Sequence, residues 1–164
     1  MPKTTAVLAF GSNLGQRRKT IKSAVRALKA HPEIGSVKLS PFVESPAVTE
    51  SGVDPSKPKY VNAVASLTTT LKPKQLLELV RQIETDHGRV RLERWGSRTL
   101  DIDIIVFGDE LKAGKELTIP HPRAYQRKFV LLPWSLLDPN AVLPGYGSVA
   151  KLASEAEDEV WVIE

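Results

Sequence analysis

The chain has 164 residues, of which 41% are hydrophobic and 26% charged; this is enough apolar material for one buried core and too much for a disordered chain. It contains no cysteine, which excludes disulfides and thiolate metal sites, so any metal must be held by oxygen or by histidine nitrogen. The net charge of +4 favours anionic partners, and no apolar run approaches a membrane span or a signal segment, so one soluble cytoplasmic domain over residues 1–164 is expected.

Thr5 to Phe10 is a short apolar run ending at Gly11-Ser12-Asn13, the pattern of a strand leaving the core through a turn. From Arg18 to Ala30, Ile21, Ala24, Val25 and Leu28 recur at spacings of three and four, which predicts an amphipathic helix. His31-Pro32 ends it, and the alternation over Ser36–Phe42 predicts a half-exposed strand. Pro46, Gly52, Pro55 and Pro58 predict a long loop without regular elements over Val43–Lys59.

Tyr60–Thr70 alternates again, with Val61, Ala63, Ala65 and Leu67 on one face and Asn62 and Ser66 on the other. Pro73 opens a second helix whose apolar stripe is Leu76, Leu77, Val80 and Ile83, and Gly88 stops it. Asp101–Phe107 is a β-branched strand closed by Gly108-Asp109. The order β-α-β-β-α-β predicts an α+β, ferredoxin-like core. Leu117–Ile119, the apolar Phe129–Leu137 and a Val160–Ile163 strand form an additional C-terminal part of strand and helical segments.

Residues two apart on a strand share a face, so Asp101 and Asp103 stand side by side while Ile102 and Ile104 enter the core. Two neighbouring carboxylates repel unless a cation lies between them, and magnesium on triphosphate oxygens would serve; by itself an Asp-x-Asp triplet fits two solvated acids equally well. Just upstream, Arg94-Trp95-Gly96-Ser97-Arg98 brings guanidinium forks and a flat indole near those acids, and Arg89 and Arg91 add to the basic cluster. Downstream stand Ile119-Pro120-His121-Pro122-Arg123 and Arg127-Lys128-Phe129. His121 could donate to a phosphate or shuttle a proton, and it also reads as a structural histidine in a proline turn.

Glu84 and Arg81, one turn apart on the second helix, read as a solvated ion pair. Gly11-Ser12-Asn13-Leu14-Gly15 matches neither standard glycine-rich nucleotide loop, so bound ATP would be held by side chains. His31, His87 and His121 lack a paired zinc spacing, and there is no serine elbow. An RNA-binding module lacks its aromatic-rich strand signature here, and a nucleotidyl transferase would release pyrophosphate rather than AMP.

The segment Arg94 to Ile105, with Gly11-Ser12-Asn13, Tyr60-Val61-Asn62, Ile83-Glu84, Gly88-Arg89-Val90-Arg91 and Ile119-Pro120-His121 in order and spacing, resembles the 6-hydroxymethyl-7,8-dihydropterin pyrophosphokinase family of folate biosynthesis. The resemblance implies a ferredoxin-like fold and transfer of the β,γ-diphosphate of ATP to the pterin hydroxymethyl group, leaving AMP. It implies two magnesium ions as cofactors, with ATP and the pterin alcohol as partners. A monomer binding neither nucleic acid nor membrane is expected.

By that resemblance Arg89, Arg98, Asp101 and Asp103 form the catalytic set, and the two aspartates are the metal ligands. Glu84, Arg91, Arg94, Arg98, Ile104, His121 and Arg127 look like the ATP-contacting positions. Trp95 and Phe129 look like the faces that sandwich the pterin, Asn62 reads its polar edge, and Ser45, Pro46, Val48 and Tyr60 line its pocket. Ser97, Ser45 and Pro122 stand where the family commonly has proline, threonine and an aromatic residue. No residue is assigned as the catalytic base.

Overall fold

The computed structural model describes residues 3–49, 52–88 and 100–163, with residues 48 and 49 described for their backbone only. Its centre is an antiparallel sheet of six strands: β1 (Thr4–Ser12), β2 (Ile34–Leu39), β3 (Phe42–Ser45), β6 (Tyr60–Thr69), β7 (Asp101–Phe107) and β12 (Trp161–Ile163). The order across the sheet is β12-β3-β6-β1-β7, with β2 also paired to β6. β6 therefore separates β1 from β2, the split arrangement expected of a ferredoxin-like core.

Helix α1 (Arg17–Ala30) and helix α2 (Pro73–Asp86) cover one face. Their stripes Ile21, Ala24, Val25, Leu28 and Leu76, Val80, Ile83 bury against Leu8, Phe10, Val61, Ala63, Ile102 and Ile104. α2 begins where Pro73 occupies a first-turn position that needs no N–H, and the Lys72 N–H donates to Gln75 Oε1 at 2.8 Å. It ends at Gly88, whose φ of +79° turns the chain away while its N–H bonds the Thr85 carbonyl.

The opposite face is covered too. Helix α3 (Lys128–Leu137) and helix α4 (Val149–Glu155) pack there on Val7, Val64, Ile105 and Val106 through Val130, Leu131, Trp134, Val149 and Ala153. The predicted apolar run Phe129–Leu137 is thus a helix, whose first N–H is capped by Asp158 Oδ2 at 2.9 Å.

Three expectations are corrected. The predicted strand Ser36–Phe42 is two strands, β2 and β3, because Pro41 cannot donate to a ladder. At the break the Ser40 N–H donates to the Val64 carbonyl, and Ser40 Oγ accepts the Val64 N–H, both at 2.8 Å. The predicted structureless loop over Val43–Lys59 holds the end of β3 and a small hairpin, β4 (Val48–Thr49) with β5 (Gly52–Val53). Two further hairpins were not foreseen: β8 (Lys112–Ala113) with β9 (Thr118–Ile119), and β10 (Val142–Leu143) with β11 (Gly147–Ser148). Among the described residues no helix is long and apolar enough to cross a membrane.

Replacing Ser40 by Ala leaves the buried Val64 N–H without its acceptor. Urea unfolding of that variant is expected to show a loss of about 1–3 kcal/mol with an unchanged denaturant slope.

Candidate active site

Strand β7 sorts its side chains as predicted, with Ile102 and Ile104 buried under α1 and α2 and Asp101 and Asp103 on the other face. Against β1, Leu8 pairs with Ile104 but Val7 with Val106, so Ile105 is an inserted residue, a β-bulge. The bulge lets Ile105 and Val106 both enter the core beneath α3 and α4. The acids stand upstream of that cover and stay partly solvated; the Asp103 side chain is 43% exposed.

His121 leaves the turn after β9 and donates its backbone N–H to the bulge carbonyl of Ile105 at 2.8 Å. Its Nδ1 accepts the Arg123 N–H at 3.2 Å, so in the neutral ring the proton is on Nε2. Nε2 is 4.0 Å from Asp103 Oδ2, beyond hydrogen-bond distance. Burial, then the nearby Arg127 and Arg123, push the His121 pKa down to about 4 despite the opposing charge of Asp101. At neutral pH this contact is therefore no ion pair, and His121 presents an N–H donor to the cleft.

Arg127, the residue before α3, has its guanidinium 5.6 Å from the Phe129 ring centroid. Burial lowers its pKa while the Asp103 and Asp101 charges raise it, and a guanidinium stays charged at neutral pH.

The other wall overturns the ion-pair reading of Glu84. That residue is only 4% exposed and accepts the Ile102 N–H at 2.8 Å, whereas Arg81 is exposed. The cause is that β7 is an edge strand, whose outward N–H groups need a partner. Glu84, Arg81, the β7 edge at Ile104, the β8–β9 hairpin, His121 and Arg127 enclose an open cleft of about 430 Å³. That lies within the usual range of small-molecule sites.

A buried polar pair lies two strands away on the same sheet face as the acids. Register places Val43, Asn62, Gly11 and Asp101 in one row across β3, β6, β1 and β7. Two strand spacings put Asn62 about 10 Å from Asp101. Asn62 is buried and donates from Nδ2 to the buried Ser45 Oγ at 2.8 Å, and Ser45 pairs with Tyr60. A Cβ on Gly11 would sit 3.1 Å from Asn62 Oδ1 and 3.6 Å from the Tyr60 ring, so glycine here lets both side chains pack close against the β1 backbone.

Of the predicted site residues, Glu84, Asp101, Asp103, Ile104, His121 and Arg127 line one cleft. Ser45, Tyr60 and Asn62 lie together on β3 and β6, half-buried Pro46 follows Ser45, and Phe129 lies in the first turn of α3. Val48 lies in β4 with its side chain undescribed, and Arg89, Arg91, Arg94, Trp95 and Arg98 lie outside the described residues. Sequence reasoning missed the close packing at Gly11 and the hairpin wall, for which Gly114 between two lysine-bearing dipeptides was the available signal.

Among the described residues no three His, Asp or Glu side chains converge as a metal cage. Two carboxylates beside cationic groups instead fit magnesium, which takes one or two carboxylates and fills its shell with water and phosphate oxygens.

His121 yields a pH prediction. Its folded pKa is below the ordinary 6.5, so between pH 6.5 and 4 the unfolded chain binds the extra proton and stability falls as pH falls. In the metal-free protein a proton NMR titration should find the His121 ring neutral down to about pH 4. His121→Gln should lose a pH-dependent part of the stability amounting to at most about 3 kcal/mol.

Comparison with known proteins shows the family and the fold. The family model described as 7,8-dihydro-6-hydroxymethylpterin-pyrophosphokinase (HPPK) matches residues 7–139. A 2-amino-4-hydroxy-6-hydroxymethyldihydropteridine pyrophosphokinase of Haemophilus influenzae is 37% identical over 154 residues, 94% of each chain. One of Pseudomonas aeruginosa is 41% identical over 137 residues, 84% of this chain and 82% of that one. Among solved structures, an HPPK-DHPS in complex with substrates superposes with a TM-score of 0.70 at 13% identity, a likeness of fold. It covers 94% of this chain, which spans only 43% of that longer one.

Proposed function

Because the chain belongs to the 7,8-dihydro-6-hydroxymethylpterin-pyrophosphokinase family, we propose that it transfers the β,γ-diphosphate of ATP to the hydroxymethyl group of 6-hydroxymethyl-7,8-dihydropterin in folate biosynthesis. The observation that carries this reading is the single sheet row that sets Asp101, in one cleft with Arg127 and His121, two strands from the Asn62–Ser45 pair, which we read as the floor of the pterin pocket. That separation of about 10 Å is comparable with a bicyclic ring and its one-carbon arm.

Asp101 and Asp103 hold the magnesium, two ions in this reading. When bound, the metal neutralises triphosphate charge and acts as a Lewis acid at the phosphoryl oxygens. Arg127 offers its fork to non-bridging phosphate oxygens, and His121 donates from Nε2. A protonated Nε2 makes His121 a donor and not the base.

Glu84 and the β7 edge at Ile104 face the nucleoside. The Asn62 amide and Ser45 hydroxyl match the mixed donors and acceptors of a pterin edge, and Phe129 offers one ring face. By sequence, Trp95 supplies the other face, and Arg89, Arg91, Arg94 and Arg98 supply further cations for the phosphates. The pterin oxygen attacks the β-phosphorus and loses its proton as the bond to the α-phosphate oxygen breaks and AMP leaves. Diphosphate transfer of this kind needs positioning and charge neutralisation more than covalent help.

Incubation with ATP, magnesium and the reduced pterin alcohol should give AMP and pterin diphosphate in equal amounts. Release of pyrophosphate, or no AMP above a metal-free control, would refute the assignment. Asp101→Asn and Asp103→Asn should each lower kcat about 10³-fold, or ~4 kcal/mol of barrier, with the circular dichroism spectrum unchanged.

A further inference from the structure

Three segments distant in sequence meet at one carboxylate behind the Asn62–Ser45 pair, and a fourth joins them through an arginine. Glu44 precedes Ser45 on β3, so the two side chains leave opposite faces, Ser45 toward the pocket and Glu44 toward α1. Glu44 Oε2 is 3.0 Å from Arg17 Nη1 at the start of α1, and Glu44 Oε1 accepts from Trp161 Nε1 at 3.2 Å. The same Arg17 Nη1 donates to the Lys59 carbonyl at 2.7 Å, immediately before Tyr60. One position earlier, the buried Asn13 donates from Nδ2 to the Pro58 carbonyl at 3.2 Å.

This is no ordinary surface pair. The Arg17 and Glu44 side chains are 30% and 17% exposed, and a charge-assisted bond so shielded holds its geometry better than a solvated one. Arg17 is also a poor choice for its own helix. It places a cation at the positive end of the α1 dipole, where there is no acidic residue in the first turn and no side-chain cap. A locally unfavourable residue that is fully engaged in long-range bonds points to a role outside the helix.

We propose that Arg17, acting through Glu44 and the Lys59 carbonyl, is a positioning residue for the pterin pocket. It pins the two chain entries Glu44–Ser45 and Lys59–Tyr60 against each other, which fixes Ser45 and Tyr60 as register partners and with them the Ser45–Asn62 hydrogen bond. The inference rests on the reading of that pocket as the pterin site. Among the described residues Arg17, Glu44 and Trp161 make no hydrogen bond or ion pair with the Asp101 cleft, so their loss acts on one substrate and spares the other.

The test is steady-state kinetics with each substrate varied in turn. Arg17→Ala should raise the pterin KM about 10-fold, with kcat and the ATP KM within about twofold of the starting values. Arg17→Lys, which keeps the charge and can still donate to both oxygens, should recover most of the loss. Arg17→Ala/Glu44→Gln should be no worse than Arg17→Ala, as for residues acting as one unit. Turnover with an unmoved pterin KM in Arg17→Ala, or a parallel rise in both KM values, overturns the inference alone. Absence of turnover by the unsubstituted protein overturns the functional reading beneath it.

Discussion

The position of β1 between β6 and β7 governs everything else at this site. β1 is registered to both neighbours at once, so one residue of it, Gly11, links Asn62 on one side to Asp101 on the other. Side chains alternate with a period of two, so a slip of one residue would turn the acids into the apolar core and Ile102 and Ile104 toward water. The helices enforce the register from both faces: α1 and α2 accept only the Phe10, Ala63, Ile102 side, and α3 and α4 only the Val7, Val64, Ile105 side. Packing on two layers thereby fixes polar groups that take no part in it.

The bulge at Ile105 reconciles two demands on one short strand. Its first half must offer carboxylates to solvent on one face, and its second half must fill both cores. A regular strand would have carried the alternation through and left Val106 on the same face as Ile104. With one extra residue, Ile105 and Val106 both pack under α3 and α4, and the freed carbonyl of Ile105 receives the His121 N–H. The irregularity that closes the core also sets the histidine beside Asp103.

Periodicity made much of this legible in advance. Strands β1, β6 and β7 and helices α1 and α2 carry clean periods of two or 3.6, and the structure places them within a few residues of the expected bounds. The single strand expected over Ser36–Phe42 runs through Pro41, which interrupts the ladder and leaves the Ser40 hydroxyl to stand in for a backbone group. Over Val43–Lys59, prolines and Gly52 suggest a loop where β3 ends and a short hairpin forms. Glu84 was misread for a different reason: helical spacing pairs it with Arg81, but its partner is a backbone N–H on β7, 18 residues away, which no local pattern can reveal. The two-residue hairpins are too short to leave a periodic signal at all. Residue chemistry singled out the acids and His121, which the structure brings to one cleft, and the family resemblance singled out Asn62, whereas the close packing at Gly11 is a property of adjacent strands.

The Glu84 contact bears on the open edge of the sheet. An open sheet edge is a template on which another copy can add a strand, and β7 is such an edge, kept accessible because a ligand cleft lies against it. Glu84 occupies the Ile102 N–H, one of the donors an incoming strand would need. The β8–β9 hairpin stands across the same approach. A carboxylate at the margin of the cleft thus also satisfies a donor of the open sheet edge, so the strand that bears Asp101 and Asp103 can stand at the edge with that N–H taken up.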